Sequence, residues 1–86
     1  MDPDQESVHL RRLRWQCRRG MRELDLLLLG FLDTGYAALT PDDRAAFERL
    51  LEYPDTLLQE LLLSGRVSAD PAMARVIDAI RHAAAR

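Results

Sequence analysis

The chain has 86 residues, which allows one domain with a single hydrophobic core and excludes a multidomain architecture. Its composition, 48% hydrophobic and 30% charged, is typical of a globular protein and excludes an intrinsically disordered one. The net charge of −2 disfavours nucleic-acid binding by the surface as a whole, and the single cysteine excludes an internal disulfide and a cysteine-based zinc site.

The N-terminal segment predicts neither export nor membrane insertion. Residues 1–7 are acidic and polar, whereas a signal or transit peptide is basic and then apolar, or Arg-rich. The longest apolar run, residues 26–32, is far shorter than the ~20 residues that cross a bilayer. We expect a cytoplasmic protein, since a lone cysteine also fits a reducing compartment. We expect residues 1–6 to be disordered.

Two helices are predicted in the first half of the chain. Ser7 can cap a helix that ends near Arg19, where Gly20 suits the left-handed conformation that follows a helix C-terminus. A second helix begins near Glu23, because acidic side chains favour a helix N-terminus, and runs to about Leu39. Its middle is apolar all round, which predicts burial on more than one side and a central place in the domain.

Three further start signals, at Thr40, Pro54 and Asp70, predict three more helices. These run from 41 to about 53, from 54 to about 64, and from 71 to a frayed end at 86. Because no stretch alternates with period two, strands are not expected. The predicted fold class is all-α, a small five-helix bundle that forms a single domain over residues 1–86.

Catalytic and metal-ligating patterns are missing from the sequence. His9 and His82 stand at opposite ends, and there is neither an HExxH motif nor a Gly-rich phosphate loop. Cys17 shares a helical face with Leu10 and Leu13, which predicts a buried core residue and not a nucleophile. We therefore expect no catalytic residue, no metal site and no enzyme activity.

The first helix carries an unusual concentration of arginine. Five arginines and no acidic residue lie between positions 10 and 21, and Trp15 points away from the apolar face that contains Leu10. An exposed Trp surrounded by Arg is typical of a protein-binding hot spot. Alternatively, Trp15 packs against the last helix and the arginines are merely solvated. The residue pattern leaves both interpretations open.

The segment from Arg14 to Phe31 contains the sequence Arg19-Gly20-x-x-Glu23, with Trp-x-Cys before it and Leu-Asp after it. On these residues the chain resembles the SdhE family of succinate dehydrogenase assembly factors, which an Arg-Gly-x-x-Glu motif defines. The likeness extends downstream, over roughly two-thirds of the chain, through Phe31, Tyr36, Leu39, Phe47, Leu50, Leu51 and Glu52.

The resemblance implies a five-helix bundle that binds the flavoprotein subunit of succinate dehydrogenase or fumarate reductase and promotes covalent attachment of FAD to a histidine there. FAD would be the cofactor of that partner, and this chain would bind none stably. The implied partner-binding residues are Arg19, Gly20 and Glu23, with Trp15, Arg18 and Arg22 as neighbours. We expect a monomer when free, in the bacterial cytoplasm, with no nucleic-acid partner and no membrane insertion.

Two other functions compete with this one. An Arg-rich first helix could bind nucleic acid, although the acidic residues that follow it argue against this. A generic helical adaptor or self-associating bundle is the second alternative, for which exposed Leu63 and Trp15 would supply contacts.

Overall fold

A computed structural model describes residues 7–84 of the chain. Those residues form five α-helices and one 3₁₀ turn, with no strand among them, so the all-α prediction is confirmed. The elements are α1 (Val8–Gln16), α2 (Arg22–Thr34), the 3₁₀ turn (Tyr36–Ala38), α3 (Pro41–Leu50), α4 (Asp55–Leu62) and α5 (Pro71–Ala84). The expectations of disorder over 1–6 and of a last helix that reaches Arg86 lie outside the described residues.

Side-chain caps start three of the helices, as predicted. The hydroxyl of Ser7 accepts a hydrogen bond from the Leu10 amide at 3.1 Å. The hydroxyl of Thr40 does the same for the Asp43 amide at 3.2 Å. At α5, Asp70 Oδ1 accepts from the Ala72 amide at 3.0 Å. Each cap satisfies a first-turn N–H that would otherwise lack a partner, an effect worth ~1 kcal/mol.

Helix α2 ends at Thr34, five residues before the predicted position near Leu39. At Gly35 the backbone leaves the helix, and a Cβ there would lie 2.5 Å from Cε1 of Phe31. The following 3₁₀ turn buries Tyr36, whose ring centroid is 5.4 Å from that of Phe47. Burial of Tyr36 against α3 therefore replaces continuation of the helix.

Helix α2 occupies the centre of the bundle, where it packs against α1, α4 and α5. One broad face of α2, which includes Leu24, Leu28 and Phe31, is buried in the core. The prediction of a central helix is thus correct, but the apolar run is not covered on every side. Leu26, for example, is 64% exposed.

No helix among the described residues is long and apolar enough to span a membrane.

Candidate partner-binding surface

The connection between α1 and α2 is a tight corner with Gly20 at its tip. Helix α1 ends at Gln16, three residues before the predicted position near Arg19. Gly20 has φ +77, which confirms the predicted left-handed conformation. A Cβ at Gly20 would meet no heavy atom within 4 Å. Glycine is therefore required here by the backbone and not by internal packing, and the corner remains open on its outer side.

The side chain of Arg19 ties this corner to the connection between α3 and α4. Its guanidinium donates to the Leu51 carbonyl (2.8 Å), the Tyr53 carbonyl (2.8 Å), Asp55 Oδ1 (2.7 Å) and the Gln16 carbonyl (3.2 Å). These bonds use four of the five N–H donors that an arginine has. Carbonyls after the end of α3 lack helical partners, and Arg19 satisfies two of them.

The backbone of the corner is held as well. The amide N–H of Arg19 donates to Asp25 Oδ1 at 2.7 Å, within the first turns of α2. Met21 Sδ lies 3.7 Å from Nε2 of Gln59 on α4. The corner is thus fixed from α2, from α4 and from the connection between α3 and α4.

Most of the sequence-predicted site residues are exposed on this corner. The side chain of Trp15 is 76% exposed, so it does not pack against α5. Arg18, Arg22 and Glu23 are also exposed, and their side chains have no hydrogen-bond or ion-pair partner among residues 7–84. We refer to Trp15, Arg18, Gly20, Arg22 and Glu23 together as the corner surface.

Arg19 differs from the other site residues. Its side chain is only 18% exposed, and its donors are largely engaged by the chain's own acceptors. The resemblance implied that Arg19 contacts the partner; the structure shows its side chain bonded beneath the corner surface, and contact with a partner stays a prediction. Three of the four acceptors of Arg19 follow it by 32 to 36 positions, and two of those three are main-chain carbonyls. No residue pattern in the sequence could have identified them.

Two potentially reactive side chains, those of Cys17 and His9, are buried or paired, whereas His82 on α5 is exposed. Cys17 is fully buried in the core, and burial raises the pKa of its thiol to about 12, so it is not a thiolate at neutral pH. His9 Nε2 lies 3.0 Å from Glu48 Oε2, which also accepts from the Tyr36 hydroxyl at 2.9 Å. Within residues 7–84, no group of three His, Cys, Asp or Glu side chains could hold a metal ion.

The sequence relationships of the chain identify its family. Residues 11–84 match the Sdh5 family, described as flavinator of succinate dehydrogenase, and the chain belongs to that family. The resemblance inferred from the motif is thereby confirmed.

Among its relatives are bacterial proteins named FAD assembly factor SdhE. The one from Shewanella oneidensis is 41% identical over 80 residues, which cover 93% of this chain and 98% of that protein. The one from Coxiella burnetii is 43% identical over 58 residues, covering 67% and 71% of the two chains. The one from Pectobacterium atrosepticum is 39% identical over 70 residues, covering 81% and 80%.

Proposed function

We propose that this protein binds the flavoprotein subunit of succinate dehydrogenase or fumarate reductase and promotes covalent attachment of FAD to that subunit. The corner surface is the observation that carries the proposal. It presents an exposed Trp, two exposed Arg side chains, an exposed Glu and an open glycine backbone on a single rigid corner. The family description and the names of the relatives support the same function.

The composition and rigidity of the corner surface favour protein recognition. Trp and Arg are the residues most often found at binding hot spots, and Trp15 offers a large exposed area at low entropic cost. The network of Arg19 holds the corner in place before binding, so less conformational entropy is lost on association. Gly20 has no side chain, which lets a partner backbone approach closely.

The charge of this region indicates the chemistry of the partner. Arg11, Arg12, Arg18 and Arg22 are exposed without side-chain partners among the described residues, and Glu23 is an exposed acid next to Arg22 in the sequence. We infer that the partner surface is predominantly acidic and supplies one basic group for Glu23. Such complementarity mainly raises the association rate and specificity, and it weakens at high salt.

The bond-forming chemistry takes place within the partner. The nucleophile nearest the corner, Cys17, is buried and protonated at neutral pH. A protein without reactive groups can still accelerate a reaction by selecting the partner conformation in which the reacting groups are aligned. We propose that this chain acts in that way in the bacterial cytoplasm, is a monomer when free, and holds no stable cofactor, FAD being that of the partner.

The proposal is tested in bacterial cells that lack the gene for this chain. Covalent flavin on the flavoprotein subunit is measured by in-gel fluorescence, and a tagged copy of the chain is used to capture the purified subunit. We expect covalent flavin to be low in the deletion strain, restored by the wild-type chain, and accompanied by direct capture of the subunit. Normal covalent flavin without the chain, or no capture of the purified subunit, would contradict the proposal.

A further inference from the structure

A depression of about 300 Å³ lies directly beside the corner surface. The first turn of α2 forms one wall and α4 forms the other. It is lined by Met21, Arg22, Glu23, Leu24, Gln59 and Leu63. Two members of the corner surface, Arg22 and Glu23, are therefore also part of its rim, so a partner seated on the corner would cover the depression.

The apolar part of this depression is formed at the end of α4. Leu58, Leu61 and Leu62 are buried in the core, but Leu63, the residue that caps the helix, is 43% exposed. The half-buried side chain of Met21 lies opposite, and buried Leu24 contributes to the lining. An exposed Leu beside a half-buried Met presents apolar surface that the chain itself does not cover.

The size and charge of the depression limit what it can hold. Pockets for whole small molecules and cofactors measure about 300–1,000 Å³, so this one is at the lower limit and suits a single large side chain better than a dinucleotide. Arg22 and Glu23 on its rim are both exposed and carry opposite charges, and Arg18 gives the corner surface as a whole an excess of positive charge. An acidic group next to the inserted side chain would complement that excess.

We propose that this depression receives one large apolar side chain, Leu, Met or Phe, from an acidic surface element of the flavoprotein subunit. The inference rests on the proposed function and adds an apolar anchor to the polar contacts of the corner surface. A central apolar anchor surrounded by charged groups is the usual arrangement of a protein-binding hot spot. Leu63 is then a specificity-determining residue outside the Arg-Gly-x-x-Glu motif.

The test compares Leu63 and Val67, two exposed apolar residues that are separated by residues 64–66. Leu63→Asp places a charge in the depression, whereas Val67→Asp places one on a side chain that is 82% exposed and does not line it. The purified full-length variants are titrated with the purified flavoprotein subunit. We expect Leu63→Asp to weaken binding by about tenfold or more, and Val67→Asp to bind as the wild type does. If circular dichroism shows that Leu63→Asp is misfolded, Leu63→Gln, which adds no charge, replaces it in the titration.

A second measurement locates the contact directly. A photo-crosslinking amino acid at position 63 should form a covalent adduct with the flavoprotein subunit, and the same group at position 67 should not. Equal affinities of the wild type and the Leu63 variants, with no adduct from position 63, would overturn this inference while the proposed function stands. A wild-type chain that does not bind the subunit at all would instead overturn the proposed function. Concentration-dependent dimers that Leu63→Asp abolishes would assign the depression to a second copy of this chain and also overturn the inference.

Discussion

Arg19 Nε donates to Asp55 Oδ1 at 2.7 Å, and this bond joins the corner between α1 and α2 to the first residue of α4. The side chain of Asp55 is 41% exposed, so the ion pair alone is partly screened by solvent. The remaining bonds of the guanidinium go to main-chain carbonyls. Arg19 thus supports the corner surface from beneath while its neighbour Arg18 remains exposed.

Replacement of Arg19 should reduce stability more than replacement of Arg18. Arg19→Ala leaves partly buried carbonyls without donors, and we expect it to lower the free energy of unfolding by about 2–3 kcal/mol. Arg18→Ala removes an exposed side chain without partners, and it should change the free energy of unfolding by less than about 0.5 kcal/mol. Urea denaturation of both variants measures the difference. Equal stability of the two would show that the network of Arg19 contributes nothing.

The two left-handed glycines allow backbone strain to be separated from partner contact. Gly20 has φ +77 and Gly65 has φ +78, so a side chain at either position should cost a similar amount, about 1–2 kcal/mol. Gly20→Arg also adds bulk where we expect a partner backbone, whereas Gly65→Arg does not. We expect comparable losses of stability in denaturation but a loss of covalent flavin only with Gly20→Arg. If both variants support the same level of flavin, Gly20 does not face the partner.

Trp15 should contribute to binding and not to folding. Because its side chain is 76% exposed, Trp15→Ala should leave the free energy of unfolding within about 0.5 kcal/mol of the wild type. Because Trp15 is expected to be a hot-spot residue, Trp15→Ala should weaken the binding free energy for the purified flavoprotein subunit by about 2 kcal/mol, measured by titration calorimetry. Trp15→Phe, which keeps an aromatic surface, should recover part of that loss. Unchanged affinity of Trp15→Ala would remove Trp15 from the interface.

Stability should decline in alkaline solution. Burial raises the pKa of the Cys17 thiol from 9.0 to about 12, and burial together with the hydrogen bond to Glu48 raises the pKa of Tyr36 from 10.0 to about 12. The folded chain therefore favours the protonated form of each group. The contribution of these two groups to the free energy of unfolding is fully present below pH 9 and is lost as the pH rises towards 12.

Cys17→Ala removes one of these groups and provides the control. The free energy of unfolding in urea should fall between about pH 9 and pH 12 for the wild-type chain, and should fall less for Cys17→Ala. Identical pH dependence of the two proteins would show that the thiol is not held in its neutral form by folding.

The starts of the helices could be predicted from local sequence, but some of their ends could not. Ser7, Thr40 and Asp70 act through hydrogen bonds to residues two or three positions away, so the signal is contained in the sequence. The end of α2 depends instead on the ring of Phe31 against Gly35 and on burial of Tyr36. Those are tertiary contacts, which override the helical pattern that continues to Leu39.

The site shows the same division. The left-handed conformation of Gly20 could be predicted because a glycine often ends a helix, and the burial of Cys17 could be predicted from helical periodicity. The exposure of Trp15 could not be decided from the sequence, because its angle on α1 allows either solvent or a neighbouring helix. The depression beside Leu63 was also beyond prediction, since it forms only where α4 meets the first turn of α2.

The most direct test of the corner surface compares two exposed glutamates. Neither Glu23 nor Glu52 has a side-chain partner among residues 7–84, but only Glu23 belongs to the corner surface. Glu23→Ala and Glu52→Ala are expressed in cells that lack the wild-type chain, and covalent flavin on the flavoprotein subunit is measured by in-gel fluorescence. We expect both variants to fold, Glu52→Ala to restore covalent flavin, and Glu23→Ala to leave it near the level of the deletion strain. Full restoration by Glu23→Ala would contradict the assignment of the corner surface as the partner-binding site.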